Sequence, residues 1–387
     1  MSIENRLGIL KKVKRVIVKI GSGVLASSDG TGVNVETMRR LVRDICRLEE
    51  NDRFQVIVVT SGAVMAGSRA LGLSQEHLSI PVKQASSAVG QVALMNMYEK
   101  AFAEHGRRIG QILLTHDDIS NRRRFLNARN AVSALLDLGV IPIINENDSA
   151  AVHEIKFGDN DTLSAMMTSV VDADLLLILS DVDGLYDSDP IKNSGAKKID
   201  SVPVINDHIR NLAGESGTAT GAGGMKAKVI AAEKASAYGV PTWIIGGKVE
   251  ESIEKALFKG EGGTFFYPKE EKIANRKHWI GHVLKPKGTL TVDAGAREAI
   301  VNKGKSLLPS GVVGVDGKFE SGESVIIKAD GGKEIARGIV NYHAFEMRQI
   351  MGKKSSDIEE TLGYKTFDEV VHRNDLVVLE ETAAKRK

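Results

Sequence analysis

The fold of this chain is decided by a stretch near its beginning, Arg15-Val16-Ile17-Val18-Lys19-Ile20-Gly21-Ser22-Gly23. Its apolar residues leave no alternating polar face, which predicts a strand buried on both sides, as in parallel sheets. Similar apolar runs recur along the chain and end in glycine or small polar residues, at 55–60, 111–114, 140–144, 175–179 and 242–245.

Longer segments with helical periodicity lie between these runs, at 35–50, 82–105, 128–138, 162–171 and 227–238. The alternation predicts an α/β fold, with a largely parallel sheet sandwiched by helices. Ligands of such folds bind at the carboxyl ends of the strands. Polar residues that directly follow a strand are therefore the candidates for a functional site.

The pattern changes after residue 260, which predicts a second domain. We expect the α/β domain to span 1–260, an irregular linker 261–286, and a small β-barrel domain with the C-terminal tail 287–387. Its predicted strands are 289–292, 311–315, 324–328 and 335–342. Asp316-Gly317-Lys318 and Asp330-Gly331-Gly332 fit hairpin turns.

Composition excludes several classes of protein. The 387 residues carry a formal net charge of +2, so charge gives no argument for nucleic acid or an anionic membrane as the main partner. The single cysteine, Cys46, excludes an internal disulfide and is expected to be a buried small hydrophobe. No signal peptide or membrane-spanning run is evident, which predicts the cytosol. The histidines show no metal-ligand spacing.

A glycine-rich stretch, Gly217 to Lys228, precedes the helical run 227–238. Free backbone N–H groups and the following helix dipole suit a nucleotide phosphate, and Lys226 or Lys228 can reach it as a point charge. A flexible surface loop explains the stretch equally well, because short glycine patterns often match by chance.

Two further segments carry charges where a buried strand or helix start is predicted. Lys19 lies inside an apolar strand, where burial is unfavourable unless its ammonium group meets an anion at the strand end. The segment Gly158-Asp159-Asn160-Asp161 can hold Mg²⁺, a substrate ammonium group or two lysines. Asp and Asn are also favoured helix caps, which explains part of this segment without any ligand.

Polar residues also follow three other strands. Ser61 fits either a substrate carboxylate or a helix cap. Asn145-Glu146-Asn147-Asp148 is an unfavourable way to end a buried strand without a ligand, and Ser180-Asp181 is placed to meet a nucleotide. Arg122-Arg123-Arg124 is interpreted as a solvated surface. Two lysine-bearing glycine loops, an Asp-rich segment and an acceptor-binding strand end together predict a phosphoryl-transfer site.

The chain resembles the amino acid kinase family, and within it the members that phosphorylate glutamate. Six segments carry the resemblance, in the order typical of the family: 18–25, 59–63, 124–129, 144–148, 158–161 and 221–228. Residues 287–352 are similar to a PUA domain, an RNA-associated β-barrel. Ala222 and Ser180 stand where threonine is common in the family, and Ala222 offers no hydroxyl to the phosphates.

The resemblance implies that ATP and L-glutamate give γ-glutamyl phosphate, the first step of proline biosynthesis, with Mg²⁺ on the phosphates and few direct protein ligands to the metal. Feedback inhibition by proline and a homodimer or homotetramer are also implied. The residue roles it implies are catalytic for Lys19, Lys228 and Asp161, glutamate-binding for Ser61, Asp148 and Asn160, and ATP-binding for Lys19, Ser180, Asp181, Ala222, Gly223, Gly224, Met225, Lys226, Ala227 and Lys228.

Two alternatives remain open. One is another small-molecule kinase of the same fold, acting on aspartate, acetylglutamate, carbamate or a nucleotide. The other is an RNA-binding regulator that uses the PUA-like domain. Residues 286–387 contain 16 Lys and Arg against 16 Asp and Glu, a net charge of zero, which is unfavourable for RNA binding.

Overall fold

The computed structural model describes residues 3–49, 53–74, 78–150, 160–190, 192–215, 224–269 and 285–379. The chain divides into two compact units, 1–270 and 271–387. Each unit is built on its own sheet. No helix within the described ranges is long and apolar enough to cross a membrane.

An eight-stranded sheet forms the centre of the first unit, in the order β3-β4-β2-β1-β5-β7-β8-β6. All its pairings are parallel except that of β7 with β8. The predicted α/β fold is therefore confirmed. The strands are β1 Arg15–Ile20, β2 Gln55–Thr60, β3 Arg108–Leu114, β4 Val140–Glu146, β5 Leu175–Ser180, β6 Ser201–Val202, β7 Thr242–Gly246 and β8 Thr264–Phe266.

Helices connect and cover these strands. They are α1 Ile3–Leu10, α2 Ser22–Leu25, α3 Val35–Glu49, α4 Ala63–Ala70, α5 Ile80–Ala103, α6 His116–Ser120, α7 Arg122–Asp137, α8 Asn160–Val170, α9 Asp207–Glu215, α10 Met225–Ala237 and α11 Ser252–Glu254, which continues as a π-helical turn, Lys255–Lys259. The five helices predicted from periodicity all form. Cys46 of α3 is buried in the core, as expected.

The two faces of β1 carry different kinds of buried side chain. Val16, Val18 and Ile20 belong to the main apolar core, which includes residues of α3 and α5. Side chains alternate along a strand, so Lys19 faces the other side of the sheet. It meets Asp161 of α8 there.

The first unit extends further than the sequence indicates. The predicted linker starts at residue 261, whereas Thr264–Phe266 is strand β8 of the large sheet. Phe265 is fully buried and packs edge-on against Trp243 of β7, with ring centroids 5.2 Å apart. This long-range contact holds in the sheet a segment that lacks a clear strand pattern. The remaining domain limits stay a prediction.

A five-stranded sheet forms the second unit, in the order β10-β9-β11-β12-β13. The strands are β9 Gly288–Val292, β10 Val312–Gly317, β11 Ser324–Ala329, β12 Glu334–Ile339 and β13 Leu376–Val378, accompanied by helices Ala294–Val301, Ala344–Ile350 and Ile358–Leu362. The hairpin predicted at 330–332 joins β11 and β12. The hairpin predicted at 316–318 is wrong, because β10 pairs with β9, and β11 pairs with β9 in parallel.

Candidate active site

A carboxylate between two lysines forms the centre of the site. Lys19 Nζ lies 2.6 Å from Asp161 Oδ1, and Lys228 Nζ lies 3.6 Å from Asp161 Oδ2. Strand β1, the first turn of α8 and the first turn of α10 supply the three residues. All three are at most 5% exposed, so the cluster is shielded from bulk solvent.

Burial dominates the electrostatics of this cluster. Removal from water lowers the pKa of the Lys19 ammonium group, Asp161 opposes that shift, and Lys228 adds to it by charge repulsion. An anion beside the lysines would favour their charged forms. A phosphate group fits this requirement, because lysine binds phosphate as a point charge.

The side of the site that the sequence predicts for the nucleotide is bounded by β1 and its neighbour β5. A Cβ atom on Gly21 would lie 3.6 Å from Lys19 Nζ, and one on Gly23 would lie 3.3 Å from Asp181 Oδ2. Because glycine has no side chain, the backbone at Gly21 can lie close to the Lys19 ammonium group, and the backbone at Gly23 can lie close to the Asp181 carboxylate. Ser180 is buried at the end of β5 and donates a hydrogen bond of 3.2 Å to Asp181, which is exposed.

Three elements meet through Asn160 on the side of the site that the sequence predicts for the substrate. Its Nδ2 donates hydrogen bonds to Ser61 Oγ and to Asn145 Oδ1, both at 3.1 Å. Asn145 Oδ1 also accepts from the Glu146 amide at 2.9 Å, which fixes that side chain. Asn160 and Asp161 are consecutive in the chain. The hydrogen-bond network of Asn160 therefore adjoins the lysine cluster.

Two atoms of this amide network lack a partner within the described residues. Asn145 Nδ2 and Asn160 Oδ1 are both buried and make no hydrogen bond there. An unpaired buried polar atom is unfavourable, and native proteins usually satisfy it by a ligand, water or another group. One donor and one acceptor beside Ser61 are therefore candidates to bind a polar ligand.

A second helix supports the neighbouring carboxylate. Ser87 Oγ of α5 donates a hydrogen bond of 2.7 Å to Asp148 Oδ2. Burial raises the pKa of the Asp148 carboxyl group, and the bond from Ser87 opposes this shift. Asp148 is therefore partly desolvated, which strengthens its attraction for a cation.

The structure decides between the alternative roles that the sequence leaves open for Ser61, Asp161 and the two lysines of α10. Ser61 does not cap α4, because Gly62 occupies the N-cap position with a φ of +104°. Asp161 makes ion pairs with both lysines, which excludes a role as a cap only. Lys228 is buried in the cluster, whereas Lys226 is exposed on the same helix.

Several predicted residues lie outside the described ranges. Ala222 and Gly223 of the glycine-rich loop, and Gly158 and Asp159 of the Asp-rich segment, are among them. Of the rest of the loop, Gly224 is the N-cap residue of α10, Met225 is buried and Ala227 is half-buried.

Of the arginine cluster, the structure describes the side chain of Arg124. Arg124 pairs with Asp118 at 3.0 Å, and its side chain is 59% exposed. Sequence reasoning missed Ser87, because its partner Asp148 lies 61 residues away and no local pattern indicates that contact. It named Asn145 only as part of a polar run.

A parallel sheet with two buried lysines at its ligand-binding edge defines an α/β phosphotransferase. Comparison with known proteins identifies the class: the model of the amino acid kinase family matches residues 14–246, and that of the PUA domain matches 288–362. These matches agree with the resemblance noted in the sequence.

Relatives of nearly full length narrow the identification. Glutamate 5-kinases from Geobacter sulfurreducens and Geobacter metallireducens are 49% and 51% identical, and each alignment covers 97% of this chain and 100% of theirs. Glutamate 5-kinase from Syntrophus aciditrophicus is 46% identical, covering 99% of both chains. The chain therefore belongs to the glutamate 5-kinases of the amino acid kinase family.

A solved structure shows a more distant likeness. Carbamate kinase from Giardia lamblia bound to AMP-PNP covers 66% of this chain and 99% of its own, with a TM-score of 0.48 and 16% identity.

Proposed function

We propose that the protein transfers the γ-phosphoryl group of ATP to the γ-carboxylate of L-glutamate, giving γ-glutamyl phosphate, the first step of proline biosynthesis. The observation that carries the proposal is the junction of Asn160 and Asp161. Asn160 belongs to the side-chain network with Ser61 and Asn145, and Asp161 belongs to the two-lysine cluster. Acceptor and phosphoryl group can therefore meet at the start of α8.

The chemistry needs little covalent help from the protein. A γ-carboxylate oxygen attacks the γ-phosphorus, the bond from that phosphorus to the ADP oxygen breaks, and ADP leaves. The attacking carboxylate is already ionised at neutral pH, so no general base is required. Catalysis then depends on alignment and on cations around the transferring group, which Lys19 and Lys228 supply while Asp161 positions them.

The substrates occupy opposite sides of the cluster in this proposal. Ser61 and Asn160 face the carboxylates of glutamate, and the Asp148 carboxylate suits its ammonium group. ATP lies along Ser180, Asp181 and the segment 222–228. Mg²⁺ bound with ATP neutralises phosphate charge. The phosphates would supply most of the ligands of this ion, because Mg²⁺ usually keeps few protein ligands when it binds with a nucleotide.

The reaction is tested by trapping its product. Purified protein with ATP, Mg²⁺ and glutamate is expected to form an acyl phosphate that hydroxylamine converts to a hydroxamate. Aspartate, acetylglutamate, carbamate and a nucleoside monophosphate serve as competing acceptors. Absence of glutamate-dependent hydroxamate would contradict the proposal, and faster reaction with another acceptor would reassign the substrate.

A second copy of this chain is the proposed partner of α5. The first turns of that helix expose only apolar residues on one side, among them Val89 at 40% and Val92 at 74%. Edge strand β3 exposes Leu113 nearby, since Gln111 of β3 bonds Gln91 of α5 at 3.1 Å. An apolar face of this kind is typical of a symmetric interface.

Val92→Glu is expected to shift the protein toward monomer, because it places a charge in the centre of the proposed interface. Sedimentation velocity across a range of concentrations measures the change. Leu138→Glu is the control, since Leu138 is 76% exposed at the end of α7. An unchanged oligomer in Val92→Glu would contradict the assignment of this face.

Regulation and location complete the proposal. We infer that proline inhibits the enzyme by competing with glutamate, which the hydroxamate assay with added proline tests. The PUA domain is assigned to regulation or assembly, because the zero net charge of residues 286–387 does not favour RNA. The proposed compartment is the cytoplasm.

A further inference from the structure

One face of α5 contacts the segment that carries Asp148. Ser87 and Gln91 lie one helical turn apart, and both are buried. Ser87 Oγ donates to the Asp148 carboxylate at 2.7 Å, and Gln91 Nε2 approaches the Glu146 carbonyl oxygen at 3.5 Å. The helix thus supports the end of β4 from behind.

Close backbone packing fixes this helix against α4. A Cβ atom on Gly67 would lie 1.7 Å from the Ser86 carbonyl oxygen, and one on Gly90 would lie 1.8 Å from the Ala63 carbonyl oxygen. No side chain fits between the two helices at these points. Because α4 directly follows Ser61 and Gly62, the same packing links Ser87 to the other acceptor residues.

We propose that Ser87 is a positioning residue for glutamate, holding the Asp148 carboxylate in the orientation that receives the substrate's ammonium group. The inference rests on the proposed function. Its bond occupies Asp148 Oδ2, which leaves Oδ1 as the oxygen proposed to receive the ammonium group. Without Ser87 the Asp148 carboxylate would be free to rotate. It would also lose a hydrogen-bond donor to its charge, which water only partly solvates.

The variant Ser87→Ala tests this role through the split between kcat and KM. We expect KM for glutamate to rise about tenfold, the effect of losing a hydrogen bond to a charged group, with kcat and KM for ATP nearly unchanged. Ser86→Ala is the matched control, because Ser86 is equally buried on the same helix and its hydroxyl bonds no described residue. Equal effects of both variants, or a fall in kcat alone, would overturn the inference.

A double-mutant cycle separates positioning from packing. In an Asp148→Asn background, Ser87→Ala is expected to raise KM for glutamate by less than about twofold, since the bond has lost its charged acceptor. Additive effects would contradict the proposal. Ser87→Thr, which retains the hydroxyl, is expected to keep KM closer to wild type, and a KM as high as that of Ser87→Ala would contradict it.

The two proposals fail in different ways. If the wild-type protein forms no glutamate hydroxamate, the proposed function is wrong. If it does so and Ser87→Ala binds glutamate like wild type, only the inference about Ser87 is wrong. An unchanged KM for ATP shows that the variant is folded.

Discussion

Lys228→Ala is expected to lower kcat by about 10²–10³-fold, the range seen when one preorganised donor to a developing charge is removed. Lys228 lies at the first turn of α10, with its ammonium group 3.6 Å from Asp161. Alanine leaves Lys19 in place for the ground-state phosphates, so KM for ATP should change far less than kcat. Hydroxamate formation at saturating glutamate measures both constants.

Lys226→Ala provides the matched control for this variant. Lys226 stands two residues earlier on the same helix, and its side chain is exposed. The same substitution should leave kcat within about twofold and change at most KM for ATP, since Lys226 belongs to the proposed ATP segment but its exposed side chain lies outside the buried lysine cluster. If Lys228→Ala keeps wild-type kcat, or if both variants lose it equally, Lys228 has no specific role in phosphoryl transfer.

The strands of the first unit could be predicted because burial on both faces leaves a local signal. β1, β2 and β5 are apolar throughout or nearly so, and the structure contains each at its predicted place. β3 is an edge strand with exposed polar positions, and only its last four residues follow the apolar pattern. β8 depends on the packing of Phe265 with Trp243, which no local pattern reveals.

The lysine cluster was also predictable, for a related reason. A lysine within a buried strand needs an anion, which made Lys19 a candidate before any contact was known. Ser87 could not be found in this way. Its partner Asp148 lies 61 residues further along the chain, and a serine among small helical residues gives no sign of such a bond.

Asp161→Asn is expected to remove most activity and much stability at once. Asp161 is fully buried and is the carboxylate shared by Lys19 and Lys228. Breaking a buried ion pair from one side leaves uncompensated charge and typically lowers the free energy of unfolding by about 3–5 kcal/mol. Urea denaturation measures the stability, and the hydroxamate assay should show kcat reduced at least about 100-fold.

An exposed ion pair supplies the control for stability. Asp207 pairs with Arg210 on α9, and its side chain is 91% exposed. Asp207→Asn should therefore change the free energy of unfolding by less than about 1 kcal/mol and leave kcat unaltered. A comparable loss of stability in both variants would show that the buried cluster is not the cause.

The remaining activity of Asp161→Asn should depend on pH in a defined direction. Burial lowers the pKa of Lys19, and Asp161 raises it. Without that carboxylate the pKa falls further, so a smaller fraction of Lys19 is charged at any given pH. Residual kcat should then increase as the pH is lowered and the ammonium group is restored.

A second substitution separates the two effects of Asp161. Adding Lys19→Met to Asp161→Asn removes one of the stranded charges, so part of the lost stability should return. Activity should not return, because the phosphoryl group has lost a cation and the residue that positions the other. Recovery of kcat together with stability would mean that Asp161 serves only to neutralise buried charge, and that the two-lysine arrangement does not carry the reaction.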